Sequence, residues 1–171
     1  MKHGGNDRES FTEWAIASRR GLLQTATFLT GDPARAEDLV QEALAKVAQR
    51  WPRLRDGNPY GYARQILVRD NISWWRRNRV ELATHVPDPG RTPSGESTVD
   101  RRLLLLAALG RLTERQRAVL VLRYFDDLSE ADIAQSLGIS VGTVKSTAHL
   151  ALRRLRELAP ELSDLLSLEI S

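Results

Sequence analysis

A single interruption in the hydrophobic pattern divides this chain into two short halves. Residues 83–100, ATHVPDPGRTPSGESTVD, contain three Pro, two Gly and several Ser and Thr without any hydrophobic period. This composition is typical of a flexible linker. It separates a segment at 11–82 from one at 101–165, each small enough to need good packing or partners for stability. The sequence therefore predicts two small domains, with a flexible N-terminus at 1–10 and a C-terminal tail at 166–171.

Both halves have the apolar spacing of α-helices, and neither has the alternation of a half-buried strand. Asp32-Pro33 predicts an N-cap and a first helical residue, and the apolar positions that follow continue until Pro52. Thr113 and Gln116 have the spacing of a capping box. The predicted fold is all-α, with helices over 11–29, 33–50, 59–79, 113–125 and 129–137, and a last one that starts at Ser140 and ends before Pro160.

Composition narrows the possible functions. The sequence has no Cys, 42% hydrophobic residues and a formal net charge of +3, so disulfides, Cys-based zinc sites and thiol chemistry are excluded. No apolar run approaches the ~20 residues of a membrane span, and the beginning MKHGGNDRES lacks the apolar core of a signal peptide. We expect a cytoplasmic protein without a cofactor.

Residues 128–152, LSEADIAQSLGISVGTVKSTAHLAL, have the pattern of a helix-turn-helix. Gly138 fits a left-handed turn after the first helix, and the small Ala134 lies where the two helices would cross. The buried wedge would consist of Ile133, Leu137, Ile139 and Val144. In such motifs the first turns of the second helix enter the DNA major groove. These turns would present Val141, Gly142, Thr143, Lys145, Ser146 and His149, with Arg153 and Arg154 placed for phosphates. The alternative is a plain helical hairpin with a solvated outer face.

Two further patterns lie in the first half. Asp38, Gln41 and Glu42 lie away from the apolar stripe of their helix, which predicts an acidic face; the alternative is a solvated surface that Lys46 partly neutralises. In the helix over 59–79, the stretch SWWRRNR (73–79) places two Trp beside an Arg cluster. Helical phase puts Trp74 and Trp75 on the apolar side and predicts that Trp75 is core and Trp74 core or border. The opposite, polar side carries Gln65, Arg69, Ser73 and Arg76, with Arg77 and Arg79 at the helix end.

The second half resembles region 4 of bacterial sigma-70 factors of the extracytoplasmic-function (ECF) group. The resemblance is carried by LTERQRAVLVLRYFDDLSEADIAQSLGISVGTVKS. It implies that Leu112–Tyr124 docks on the flap of the polymerase β subunit and that the helix-turn-helix reads the −35 promoter element. The residues implied for −35 contacts are Ser140, Thr143, Lys145, Ser146, His149 and Arg153. The chain departs from the family at Thr113, Thr147 and Ala148.

The first half resembles sigma region 2 through GDPARAEDLVQEALAKV. This likeness implies that Asp38, Gln41 and Glu42 bind the β′ clamp coiled coil of RNA polymerase core. The loop RLRDGN (53–58) matches in position the loop that captures a flipped base, and the helix after it matches the part that binds and melts the −10 element. The residues implied for −10 contacts are Asn58, Arg69, Ser73, Arg76, Arg77 and Arg79; relatives often have Asn at 69 and Asp at 73.

The order of these motifs predicts a sigma factor, which binds RNA polymerase core and promoter DNA and initiates transcription. The resemblance also implies regulation by an anti-sigma factor and no membrane insertion. One alternative is a free-standing regulator with a LuxR-like helix-turn-helix, which would leave AEDLVQE unexplained. The other is a nucleic-acid enzyme, which lacks a convincing carboxylate cluster or activated nucleophile; we therefore expect no catalytic residue and no metal site.

Overall fold

The computed structural model describes residues 3–82 and 98–162, with side chains for residues 6–78 and 98–162. All regular structure in these ranges is helical, which confirms the predicted all-α fold. The helices are α1 (His3–Thr30), α2 (Pro33–Gln49), α3 (Trp51–Leu54), α4 (Pro59–Leu82), α5 (Thr98–Gly110), α6 (Glu114–Tyr124), α7 (Glu130–Leu137), α8 (Val141–Leu158) and the 3₁₀ turn η1 (Pro160–Leu162).

The chain forms two compact units that divide between Asn71 and Ile72, inside α4. The sequence placed the division at the linker, where the composition changes. The packing changes earlier because Trp75, on the later part of α4, lies against Arg117 of α6, with the guanidinium carbon 5.1 Å from the ring centroid. The domain ranges inferred from composition therefore remain predictions.

Residues 3–10, for which the sequence predicts a flexible N-terminus, are helical in the structure. Helix α1 already begins at His3. Its first turns are held by partners distant in sequence: the carboxylate of Asp7 pairs with Arg55, and Ser10 Oγ accepts a 2.9 Å hydrogen bond from Trp51 Nε1. Gly4 and Gly5 lie near the beginning of this helix, although Gly is a poor helix former. Tertiary contacts outweigh that local preference.

The core of the first unit is built by α1, α2 and the start of α4. Asp32 is the N-cap of α2, as predicted, because its Oδ1 accepts the backbone N–H of Ala34 at 2.9 Å. This cap aligns an apolar stripe toward α1, and each fully buried Leu in such a core stabilises by about 1.5–3 kcal/mol. The buried residues include Leu22, Ala26, Leu29, Leu39, Val40, Ala43, Val47, Trp51, Ala63, Leu67 and Val68.

The second unit packs α6, α7 and α8 together, with α5 beside them. The predicted capping box opens α6: Thr113 Oγ1 accepts from Gln116 N, and Gln116 Oε1 accepts from Thr113 N, each at 3.2 Å. This reciprocal pair satisfies two of the N–H groups that a helix start leaves without partners. The buried apolar residues include Ala108, Leu109, Leu112, Ala118, Val119, Leu120, Val121, Leu122, Ile133, Val144, Ala148, Ala151, Leu155 and Leu162.

The predicted linker and tail fall partly outside the described residues. Residues 83–97 and 163–171 are not described, and they include most of the predicted linker and the tail at 166–171. The last linker residues, 98–100, are instead the first turn of α5. Asp100 lies in that turn, where a carboxylate interacts favourably with the positive end of the helix dipole.

Candidate nucleic-acid and protein-binding surfaces

The helix-turn-helix is formed by α7, a turn at Gly138 and α8. Gly138 has φ 65°, a left-handed conformation that favours glycine, and its N–H donates to Ala134 O. Ile139 N donates to the same carbonyl at 3.1 Å. Ile133 and Val144 are fully buried between the helices, whereas Leu137 and Ile139 are only half-buried. The predicted wedge is thus narrower than the sequence indicated.

Two of the predicted −35 residues take part in capping α8. Ser140 Oγ accepts from Thr143 N at 3.1 Å and lies 2.8 Å from Thr143 Oγ1. An N-cap of this kind is worth about 1 kcal/mol. Ser140 and Thr143 therefore fix where α8 begins, whatever else they contact.

The other predicted −35 residues form one exposed stripe along α8. Lys145, His149 and Arg153 follow each other at intervals of four, a spacing that keeps them on one side of a helix. Ser146 is exposed beside them, and its hydroxyl donates to Thr143 O at 3.1 Å. The opposite side is buried through Val144, Ala148, Ala151, Leu152 and Leu155.

The acidic face of α2 consists of Asp38, Gln41 and Glu42, all exposed. Neighbouring charges on this helix have partners elsewhere: Glu37 pairs with Arg19 at 2.5 Å, and Lys46 pairs with Asp70 at 2.5 Å. The suggestion that Lys46 offsets Glu42 is therefore wrong. Within residues 6–78 no ion pair involves Asp38 or Glu42, and the face carries two carboxylates one helical turn apart.

The predicted −10 residues lie along α4 and at its start. Asn58 acts as a cap, because its Oδ1 accepts the backbone N–H of Gly61 at 2.8 Å. A Cβ at position 61 would lie 2.5 Å from Asn58 Nδ2, so glycine is needed there for this side-chain position. In the first unit Arg69 is exposed; in the second unit Ser73, Arg76 and Arg77 are exposed. The side chain of Arg79 lies outside the described part.

The Trp pair is less buried than the sequence predicted. Trp74 and Trp75 are both half-buried, with ring centroids 5.5 Å apart in an edge-on arrangement. The guanidinium carbon of Arg117 lies 5.1 Å from the centroid of the Trp75 ring. The half-buried position of Trp74 agrees with the prediction of a core or border residue, whereas Trp75, predicted to be core, is not fully buried.

Arg117 is the residue that sequence reasoning missed most clearly. It is 3% exposed and lies on the same side of α6 as Leu120 and Val121. A cation that occurs in phase with an apolar stripe signals a buried, partnered charge. The helical phase of Arg117 with apolar residues was therefore the sequence signal that could have identified it as buried.

Within the described residues, no group of three or more His, Cys, Asp or Glu could hold a metal ion. In the same ranges, no helix has both the length and the apolar character required to cross a membrane.

Comparison with known proteins accounts for both units. The sigma-70 region 2 profile matches residues 7–81, and the sigma-70 region 4 profile matches residues 97–155. An RNA polymerase sigma-E factor of Streptomyces avermitilis is 38% identical, covering 92% of this chain and 88% of that protein. The ECF sigma factor SigL of Mycobacterium tuberculosis is 37% identical, covering 82% of this chain and 84% of that one.

A solved structure agrees with these relatives. The sigma factor RpoE of Bartonella quintana, crystallised with the anti-sigma factor NepR, has a TM-score of 0.70 and 26% identity, covering 88% of this chain and 96% of that one. Two helical units, one of them with a helix-turn-helix, together with these matches define a transcription initiation factor. The chain belongs to the sigma-70 family of RNA polymerase sigma factors, in the extracytoplasmic-function group. A free-standing LuxR-like regulator is not favoured, because it leaves the region 2 match unexplained.

Proposed function

We propose that this chain is a dissociable sigma subunit that binds RNA polymerase core, recognises −35 and −10 elements and promotes DNA melting in the cytoplasm. The observation that carries the proposal is the combination of two exposed surfaces in one chain. One is the Lys145–His149–Arg153 stripe on the second helix of the helix-turn-helix. The other is the acidic face of α2, whose carboxylates have no ion-pair partner among the described side chains of their unit.

The core-binding part of the proposal has two elements. Asp38, Gln41 and Glu42 would meet a basic surface of the β′ clamp coiled coil, and α6 with its flanks, Leu112–Tyr124, would meet the β flap. Helix α6 is mostly buried in its own unit, so its outward side and the 38% exposed Phe125 just after it are the parts available to a partner. The solved relative bound to NepR supports an anti-sigma factor as a further partner.

The DNA-binding part assigns −35 contacts to Ser140, Thr143, Lys145, Ser146, His149 and Arg153. It assigns −10 contacts to Arg69, Ser73, Arg76, Arg77 and Arg79, with Asn58 shaping the loop before them. Arg guanidinium groups bind phosphates and guanine edges through forked donors, which suits this arginine-rich stretch. Because phosphate contacts release counterions, we expect promoter binding to weaken steeply as salt rises.

Run-off transcription tests the proposal. Core polymerase reconstituted with the purified chain should initiate at a subset of promoters on genomic templates, and core alone should not. Sequencing the transcripts' start sites would then define the −35 and −10 elements. Failure to bind core, or binding without initiation at any promoter, would contradict the proposal.

Replacing both Lys145 and His149 with Ala should lower initiation by about 30-fold or more at promoters that depend on a −35 element. Each lost base or phosphate contact is worth about 1–3 kcal/mol. Both side chains are exposed, so the fold should not change. The measurement is run-off transcription with matched promoters that differ only in the −35 element. Ala at Arg111 and Gln135, exposed in the same unit but off α8, is the control. Normal −35-dependent transcription by the double variant would refute the recognition-face assignment.

A further inference from the structure

One carboxylate links α6 to both helices of the helix-turn-helix, α7 and α8. Glu130, the first residue of α7, accepts a 2.8 Å hydrogen bond from Arg123 Nη1 through Oε1. Its other oxygen, Oε2, lies 3.7 Å from Lys145 Nζ on α8. The second distance is that of an ion pair and is too long for a hydrogen bond. Glu130 is thus fixed by Arg123 and acts on Lys145 through charge.

Arg123 and Glu130 are less exposed than Lys145, and this difference indicates what each side chain does. Arg123 is 36% exposed and Glu130 29%, whereas Lys145 is 64% exposed. The two inner groups are therefore held in place, and the lysine end is free to meet a partner from solvent. Lys145 is the one Lys of the sequence after Lys46. Its flexible stem allows many positions of the ammonium group, so a nearby fixed carboxylate strongly affects where that group lies.

Ion pairs this exposed contribute little to folding stability. A carboxylate beside a DNA-contacting ammonium has a larger effect on binding, because it competes with phosphates for the same cation. Non-specific binding consists almost entirely of phosphate contacts, whereas specific binding also uses base edges. Glu130 therefore opposes the non-specific complex more than the specific one.

We propose that Glu130 is a positioning residue for promoter recognition, which holds Lys145 toward the base-reading side of α8 and away from non-specific phosphates. The inference rests on the proposed DNA-binding role of α8. It adds a residue outside the recognition helix that determines specificity through Lys145. Arg123 anchors the carboxylate from the last turn of α6, so the position of Lys145 is linked to the segment proposed to meet the β flap.

Glu130→Gln tests this role, because glutamine keeps the shape and an acceptor oxygen for Arg123 but removes the charge. Affinity for mixed-sequence duplex DNA should rise about two- to five-fold, the size expected for one exposed ion pair. Affinity for a duplex carrying the −35 element found by run-off mapping should stay unchanged or fall slightly. The ratio of the two affinities therefore drops. The salt dependence of mixed-sequence binding should steepen by up to about one released counterion.

Fluorescence anisotropy with the full-length chain, at several salt concentrations, measures both affinities. Glu161→Gln is the matched control, since it removes the same charge from an exposed position in η1, outside α8. An equal rise in mixed-sequence affinity for Glu161→Gln would overturn the inference, because the effect would then be general electrostatics. No change for Glu130→Gln would overturn it as well.

A double-mutant cycle with Lys145→Ala shows whether Glu130 acts through Lys145. In the Lys145→Ala background, Glu130→Gln should leave mixed-sequence affinity within experimental error. A two- to five-fold rise that persists there would overturn the inference. The proposed function is tested separately by run-off transcription. It is wrong if the unaltered chain, combined with core polymerase, initiates at no promoter. If Lys145→Ala alone leaves both affinities unchanged, the DNA-contact assignment is wrong and the inference fails with it.

Discussion

Reversing the charge of Asp38 and Glu42 to Arg should lower the affinity of this chain for RNA polymerase core by about 100-fold or more. Like charges placed opposite each other across an interface cost several kcal/mol, and each 1.4 kcal/mol is about a tenfold loss. Both carboxylates are exposed on α2, so a basic partner would meet them directly. The double variant replaces that attraction with repulsion at two positions one helical turn apart.

The fold of the first unit should not change in this variant. The buried side of α2 is formed by other residues, including Leu39, Val40 and Ala43. Arg is a good helix former, and a new like-charge pair on a helix surface costs only a few tenths of a kcal/mol. Titration of labelled chain with core polymerase measures the affinity, and circular dichroism with thermal melting verifies the fold.

Glu9→Arg together with Glu13→Arg provides a matched control. These residues are exposed on α1, have the same spacing of four and belong to the same unit. The net charge changes by the same amount, so any general effect on association appears in both variants. Wild-type core affinity in the Asp38/Glu42 variant, or an equal loss in the control, would disprove docking through the acidic face.

Local signals in the sequence were sufficient to predict most helix ends. The caps at Asp32, Thr113, Ser129 and Ser140 and the left-handed Gly138 are all present in the structure. Each of the four caps depends on a side chain and a backbone group within four residues, and the turn depends on the backbone freedom of Gly138 itself. Such interactions are encoded in short stretches of sequence and depend little on how distant parts of the chain pack.

Features that depend on distant residues could not be predicted in this way. The beginning of α1 is held by Ser10 and Trp51, which are 41 residues apart. The pairing of Lys46 with Asp70, rather than with Glu42 on its own helix, requires knowledge of how α2 and α4 pack. The role of a site residue can be equally hard to predict. The amide of Asn58 could cap a helix or contact a base, and sequence alone does not distinguish these two roles.

Replacing Arg117 with Met should lower the free energy of unfolding of the second unit by about 3 kcal/mol. Arg117 Nε donates to Leu109 O at 2.8 Å, and Nη2 donates to Gly110 O at 3.2 Å and Leu112 O at 3.3 Å. These carbonyls lie at the end of α5 and in the turn after it. Leu109 O also accepts the backbone N–H of Leu112 at 3.1 Å, so the larger loss falls on the carbonyls of Gly110 and Leu112. Met fills similar volume but removes the guanidinium donor from Gly110 O and Leu112 O, at about 1–3 kcal/mol each when no water reaches them.

Removing the guanidinium also has a stabilising effect, and the predicted change in the free energy of unfolding includes it. Burial lowers the pKa of Arg117 below its usual value, and the charge of Glu114 opposes this in part, so the structure bears a cost for holding the guanidinium there. Replacing a buried charge and its partners together is often neutral, whereas removing one side alone is strongly destabilising. The backbone carbonyls remain when Arg117 is replaced. The cost of leaving them without this donor therefore exceeds the gain from no longer burying a charge.

The pH dependence of stability should be unaffected by this residue near neutrality. The guanidinium is protonated in both the folded and the unfolded chain there, so neither state binds an extra proton. Its folded pKa is lowered, so the unfolded chain binds more protons only at strongly alkaline pH, and only there would stability rise with pH. Wild type and Arg117→Met should therefore differ by a constant amount between about pH 6 and 9.

Thermal melting and hydrogen exchange in the full chain measure the effect, and exchange localises it to the second unit. For a unit of this size, about 3 kcal/mol corresponds to a fall of roughly 10–20 °C in Tm. Arg115→Met, an exposed position two residues earlier on α6, is the control and should melt as wild type. Arg117→Lys keeps the charge but lacks the fork that reaches three carbonyls, so an intermediate loss is expected.

If Arg117→Met melts as wild type and the amides of Arg111 and Leu112 keep their protection, the α5–α6 turn is held by packing alone. In that case the start of α6, and with it the segment proposed to meet the polymerase flap, does not depend on this cation.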